Sequence, residues 1–193
     1  MASPYLMLFG MFSSGILLCY CEKEMVAHIT DGETTAIAIS KLYGGVILIN
    51  CVGSFFLLFY LGLLVSQART KYRAKAEKAG DDRADDRFSY PKLYAEGFSE
   101  EAKHFNCVQR AHQHAIETHA SFVVLSVIGG WGHPLLVSLS GLLWIFARLD
   151  WAWGYATGEP SARYGGKFGF HIWSSLLLIV AAAVSTGVQL LMA

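Results

Sequence analysis

The sequence predicts an all-α membrane protein: a bundle of four transmembrane helices, with an additional hydrophobic helix on its N-terminal side. Three observations predict it. Of 193 residues, 54% are hydrophobic and only 16% are charged, whereas a soluble domain carries about 25% charged residues. The charge is also clustered, because residues 67–103 hold nine Lys/Arg and eight Asp/Glu. Outside that cluster run apolar stretches near the ~20 residues that a spanning helix needs.

The elements follow in order. Residues 4–21, PYLMLFGMFSSGILLCYC, form an apolar run with no basic residue before it. It is a poor match to a secretory signal or a transit peptide, and reads as a retained hydrophobic helix. Residues 22–41 are a polar, mildly acidic linker, so residues 1–41 form an N-terminal extension. Residues 42–66 carry no charge and predict the first core span. The hydrophilic stretch 67–103 begins with QARTKYRAKAEKA, which continues that helix out of the membrane. GDDRADDR (80–87) is loop-like. Tyr90 before Pro91 predicts a helix stop, since the residue preceding proline is pushed out of the α region.

Residues 105–130 predict the second core span, and GGWGHP (129–134) a tight turn. Residues 135–155 predict the third span, TGEPSARYGGK a short polar loop, and residues 168–192 the last span. The basic stretch 67–103 and the loop carrying Arg163 and Lys167 are separated by an even number of spans. They therefore share one side, and the positive-inside rule puts that side in the cytosol or an organelle matrix.

The second core span is unusual. Its head, FNCVQRAHQHAIETHASF, carries Arg110, Glu117, His112, His114 and His119. Ionisable groups at membrane depth are costly and by default face a bundle interior or a polar cavity. Asn106, Arg110, Gln113, Glu117 and Ser121 recur at three- and four-residue steps, which places them on one helix face.

Arg69, Arg110, Tyr155 and Arg163 come from three helices and converge on the basic side. Arginine's planar fork suits carboxylates, so an anionic, peptide-like ligand fits there. Packing and anchoring readings stand beside this one. Arg69 followed by Lys71 and Arg73 also describes any cytosolic helix end. Arg110, Glu117, Arg148 and Asp150 suit structural bridges between helices. Trp144, Arg148, Trp151 and Tyr155 form a stripe that also suits packing.

Other chemistries are disfavoured. Formal net charge is zero and no basic stripe marks a nucleic-acid surface. Cys19, Cys21, Cys51 and Cys107 lack zinc spacing and a disulfide framework. His112, His119 and His171 offer no ligand-like pair across two spans, so neither metal nor haem is expected.

Several stretches together resemble the membrane-associated eicosanoid and glutathione metabolism (MAPEG) family, in particular its type-3 microsomal glutathione transferase branch. They are LYGGVILIN, VSQARTKYR, YPKLY, FNCVQRAHQ, IGGWGHP and WGYATGEPSAR, in order across most of residues 42–165. The resemblance implies a four-helix domain over residues 42–193, with residues 74–89 as a hydrophilic insertion. It implies a homotrimer, with glutathione as co-substrate bound between subunits at the cytosolic side.

By motif position it implies that Arg69, Arg110, His114, Glu117, Trp151 and Tyr155 contact glutathione and that Arg163 stabilises its thiolate. His114 stands where the family has an asparagine, Trp151 where it has a tyrosine, and Thr118-His119-Ala120 replace a Tyr/Pro-containing segment. Thr70 stands where a second basic residue is usual, and Arg163 lies one residue further from Tyr155.

Two functions are therefore expected as alternatives. One is a glutathione transferase or peroxidase of the endoplasmic reticulum or mitochondrial membrane, taking lipophilic substrates from the bilayer. The other is a non-catalytic accessory subunit of a larger membrane assembly such as a respiratory complex.

Overall fold

A computed structural model describes residues 41–192. The hydrophobic helix expected at residues 4–21, and nearly all of the linker after it, lie outside the described residues. Four long helices dominate the described chain. They are α1 (Tyr43–Lys78), α3 (Glu100–Gly132), α4 (Pro134–Ala156) and α5 (His171–Met192). A short helix α2 (Ala84–Phe88) and a 3-10 turn (Pro160–Tyr164) punctuate the connections at one end.

The uncharged part of α1 opens with widened π-helical turns over Val46–Gly53. There the Ser54 hydroxyl bonds back to the Asn50 and Cys51 carbonyls. The helix continues without a break into its charged extension as far as Lys78. α3 starts at Ser99, whose hydroxyl accepts from the Ala102 N–H at 3.2 Å. Glu100 and Glu101 occupy its first turn, where negative charge complements the helix dipole.

The expected GGWGHP turn is instead mostly helix. α3 runs through Gly129, Gly130 and Gly132, and only His133 separates it from α4, which has Pro134 at its first position. The glycines serve close packing. A Cβ on Gly129 would lie 2.8 Å from the Ala183 backbone nitrogen, and one on Gly130 2.8 Å from Val46. Small residues let helix backbones approach where the bilayer gives no hydrophobic drive between helices. The stretch 80–87, expected as loop, likewise ends in the short helix α2, whose Ala84 and Phe88 are buried.

α3 packs against α1, α4 and α5, which buries some of its polar side chains, Gln109 and Ser126 among them. α1, α4 and α5 are long and apolar enough to cross a membrane. At 33 residues, or ~50 Å, α3 is also long enough, but its polar face lowers its hydropathy. The protein is an all-α membrane protein.

The main core is built where Phe122 of α3 stacks on Trp144 of α4, 4.0 Å between centroids, with Leu57, Leu61, Ile172 and Ile179 around them. A second cluster forms beneath the connection, where Tyr72, Phe88, Ala95, Phe105 and Val108 meet.

Candidate functional site

The site lies where the first turns of α3 meet the last turns of α4 and the loop after it. Antiparallel packing brings Arg110 (α3) and Tyr155 (α4) to the same end. His114 is its centre. Its ring stacks on Trp151 at 4.8 Å and meets Trp173 of α5 edge-on at 5.9 Å. Its Nδ1 lies 2.6 Å from the Arg148 guanidinium. Arg110, Arg163 and Glu117 are all within electrostatic reach of the ring.

Each cation has a defined partner. Arg110 donates to Glu117 at 2.5 Å, two turns further along the same helix. The pair is half-exposed, with side chains 38% and 53% accessible. The structural bridge to a neighbouring helix allowed by the sequence is thus closed within α3. Arg148 is 1% exposed and donates to His114 and Thr118 of α3, with its guanidinium over the Trp144 ring. Among the described residues it has no carboxylate partner. Asp150 does not bridge to it; its carboxylate accepts the Phe168 and Gly169 N–H groups at 2.7 and 2.9 Å and so fixes the entry to α5.

Arg163 comes from the 3-10 turn. It donates to the Pro160 carbonyl, and its guanidinium lies over the rings of Tyr155 and Tyr164 at 5.6 and 5.0 Å. Tyr155 in turn packs on Trp151 at 4.9 Å. Glu159 holds the turn by accepting from the Ser161 N–H and hydroxyl, and these bonds keep its carboxyl below the ordinary value.

Five of the candidate residues therefore lie around the His114 imidazole: Trp151 in contact with it, Tyr155 behind Trp151, and Arg110, Glu117 and Arg163 within electrostatic reach. Arg69 is placed differently. It is buried, and its guanidinium donates to the Phe88, Ser89 and Lys92 carbonyls at 2.8, 3.4 and 2.8 Å, between the rings of Tyr90 and Phe105. It holds the connection between α1 and α3.

Tyr164 was not singled out by sequence, and Thr118 was named there only as a departure from the family pattern. Tyr164 lies under the Arg163 guanidinium, and the Trp173 indole first, then Arg163, hold its phenol below the ordinary tyrosine value. Thr118 supplies Arg148's second acceptor. A tyrosine beside Arg163 in a short polar loop was the available signal for the first. Cys51 and Cys107 are free thiols. Among the described residues, no group of three or more His, Cys, Asp or Glu is placed to hold a metal ion.

Chemically, the site offers the Arg110 and Arg163 guanidinium groups against the Glu117 carboxylate, set in an aromatic wall, with Arg148 buried behind His114. That combination suits a small polyanion carrying an amine.

Comparison with known proteins agrees with this setting. Over 83 residues the chain is 28% identical to microsomal glutathione S-transferase 2 of Mus musculus. The match covers 42% of this chain and 56% of that protein, so the chain spans about half the length of the curated relative it matches. A model of the MAPEG family matches residues 47–184, well over half of the sequence. With its helical membrane bundle and the motif residues gathered at one end, the chain belongs to the MAPEG family.

Proposed function

We propose that this protein is a membrane glutathione transferase or peroxidase, which activates glutathione as its thiolate against lipophilic electrophiles or lipid hydroperoxides. The gathering of Arg110, Glu117, Trp151, Tyr155 and Arg163 around His114 carries this reading. Glutathione bears two carboxylates, one ammonium and one thiol. Arg110 and Arg163 match the carboxylates and the developing thiolate, and Glu117 matches the ammonium. A cation beside a thiol favours its ionised form. In the transferase step the sulfur lone pair forms a C–S bond, and the leaving group departs with its electron pair. In the peroxidase step the thiolate takes the terminal peroxide oxygen and the O–O bond breaks. The lipid alkoxide is protonated to the alcohol. A second glutathione displaces water to give the disulfide.

The mouse relative's name supports glutathione as co-substrate, and the apolar outer faces of α1, α4 and α5 support delivery of lipophilic substrate from the bilayer. The family resemblance supports a homotrimer with the basic loops on the cytosolic or matrix side. The test is ultraviolet absorbance of thiolate after glutathione is added to the detergent-purified protein. Thiolate is expected near neutral pH in the wild type and lost in Arg163→Ala, with Arg163→Lys intermediate. No thiolate signal, together with unchanged turnover in Arg163→Ala, overturns the reading.

One observation favours the alternative, an accessory subunit of a larger membrane complex. Arg69 is committed to the connection between α1 and α3, which exposes Tyr90, Leu93 and Phe98 beside a charged surface. Such a surface offers docking contacts to extramembrane subunits. Native electrophoresis separates the two readings: a free particle of trimer size favours the enzyme, and co-migration with a large assembly favours the subunit.

A further inference from the structure

Residues 89–99, which lead from α2 into α3, are laid along the polar face of α3 and fixed at two points. At the first, Arg69 binds the carbonyls of Phe88, Ser89 and Lys92. At the second, Asn106 of α3 clasps the Ala95 backbone from both sides: its Oδ1 accepts the Ala95 N–H at 2.8 Å and its Nδ2 donates to the Ala95 carbonyl at 2.9 Å. Between these points the Tyr94 hydroxyl donates to Gln113 Oε1 at 2.5 Å.

Gln113 lies three residues beyond Arg110 and four before Glu117, so all three share one face of α3. Tyr94 is 45% exposed and, like Tyr155, within electrostatic reach of Arg110. Glu117 occupies only one terminal nitrogen of Arg110, and a guanidinium has five N–H donors. An anion seated on Arg110 would lie close to the Tyr94 hydroxyl that Gln113 holds on the same face.

We propose that Tyr94 is a further ligand-binding residue of this site, donating its hydroxyl to a carboxylate of bound glutathione on Arg110. Arg69 is its positioning residue and acts through the strap rather than by touching the ligand. On binding, the Tyr94 O–H turns from the neutral Gln113 carbonyl to the charged carboxylate, the stronger acceptor. The proposal rests on the glutathione reading above.

The experiment is glutathione-dependent turnover and thiolate absorbance of the full chain in detergent, for wild type, Tyr94→Phe, Gln113→Ala, Arg69→Lys and Tyr94→Phe with Arg69→Lys. Tyr94→Phe is expected to raise KM for glutathione about 10-fold with kcat unchanged, as for loss of a hydrogen bond to a charged group. Gln113→Ala breaks the same resting tether but keeps the hydroxyl, so KM stays within about 2-fold of wild type. Arg69→Lys cannot span the three carbonyls, so it raises KM as Tyr94→Phe does, and the double variant is no worse than either single one.

If the wild type gives no glutathione-dependent signal, the functional reading itself fails and takes this proposal with it. If the wild type binds and Tyr94→Phe matches it, or Gln113→Ala matches Tyr94→Phe, Tyr94 is only a tether and the proposal alone is overturned. Additive effects of Arg69→Lys and Tyr94→Phe overturn the positioning role.

Discussion

Arg148 of α4 donates a hydrogen bond to His114 Nδ1 of α3 at 2.6 Å. A guanidinium has donors and no acceptor, so Nδ1 must accept, and the proton of the neutral ring sits on Nε2. One buried cation thereby selects the tautomer of the imidazole at the centre of the site. It also leaves the Nε2–H as a fixed donor, the kind of group an asparagine side chain would supply at that position.

That relationship predicts an ordering of His114 variants. In His114→Leu, Arg148 keeps only Thr118 and loses a charge-assisted bond, which costs about 2 to 3 kcal/mol. His114→Asn retains a carbonyl acceptor for Arg148 and an N–H donor for ligand, and is expected to lose about 1 kcal/mol or less. Thermal unfolding in detergent reads the difference. Equal losses in the two variants would show that the guanidinium does not depend on an acceptor at position 114.

The glycines of α3 and α5 predict opposite responses to the same substitution. In Gly129→Ala the new Cβ meets the Ala183 backbone nitrogen at 2.8 Å, and backbone cannot swing aside. A loss of about 1 to 3 kcal/mol is expected. Nothing lies within 4 Å of where a Cβ on Gly187 of α5 would stand. There alanine lowers the entropy of the unfolded chain and is expected to be neutral or to gain up to about 1 kcal/mol. Melting temperatures of the two variants, compared with wild type, check the contrast.

These glycines also show where sequence reading stops. Uncharged runs and clustered charge located the spans, because the bilayer imposes both. The three- and four-residue spacing placed Arg110 and Glu117 on one face of α3. But GGWGHP carries turn residues, and only the proximity of Ala183 and Val46 shows that the glycines are needed for helix packing. Arg69 reads as a site cation or an anchor because its real partners are carbonyls about 20 residues away, which no side-chain pattern announces. Arg148 and Asp150 read as bridges to charges on neighbouring helices. Their bonds go elsewhere, to His114 and Thr118 for one and to the Phe168 and Gly169 N–H groups for the other, in different directions because a helix turns side chains two apart away from each other.

A polar node deeper in the bundle ties three helices together. Asn50 of α1 is fully buried; its amide donates to Ser126 Oγ of α3 at 2.8 Å and to the Val137 carbonyl of α4 at 3.1 Å. Gly141 leaves room for it, since a Cβ there would lie 2.1 Å from Asn50 Oδ1. Interhelical hydrogen bonds within membranes contribute about 0.6 kcal/mol and at most about 1.7. Asn50→Ala is therefore expected to cost about 1 to 2 kcal/mol, and Ser126→Ala, which leaves the Val137 bond in place, about 0.5. Unfolding in mixed detergent, followed by far-ultraviolet circular dichroism, measures both; a larger loss from Ser126→Ala would contradict the assigned bonds.

Tyr164 predicts a pH effect with a definite sign. The Trp173 indole first, then the Arg163 guanidinium 5.0 Å from the Tyr164 ring, favour phenolate over phenol. The folded-state value therefore lies below the ordinary tyrosine value of about 10. A depressed acid contributes stability that is fully present above its unfolded value and lost as pH falls through its folded value. Tyr164 adds nothing at neutral pH and begins to stabilise the fold as the solution becomes alkaline. In a spectrophotometric titration of the native protein, one tyrosinate is expected to form ahead of the others and to vanish in Tyr164→Phe. Trp173→Phe should delay that early step more than Arg163→Ala does, since the indole is the larger contributor. An early step that survives Tyr164→Phe would assign the low-titrating phenol to another residue, and with it the donor cluster at the loop end of the site.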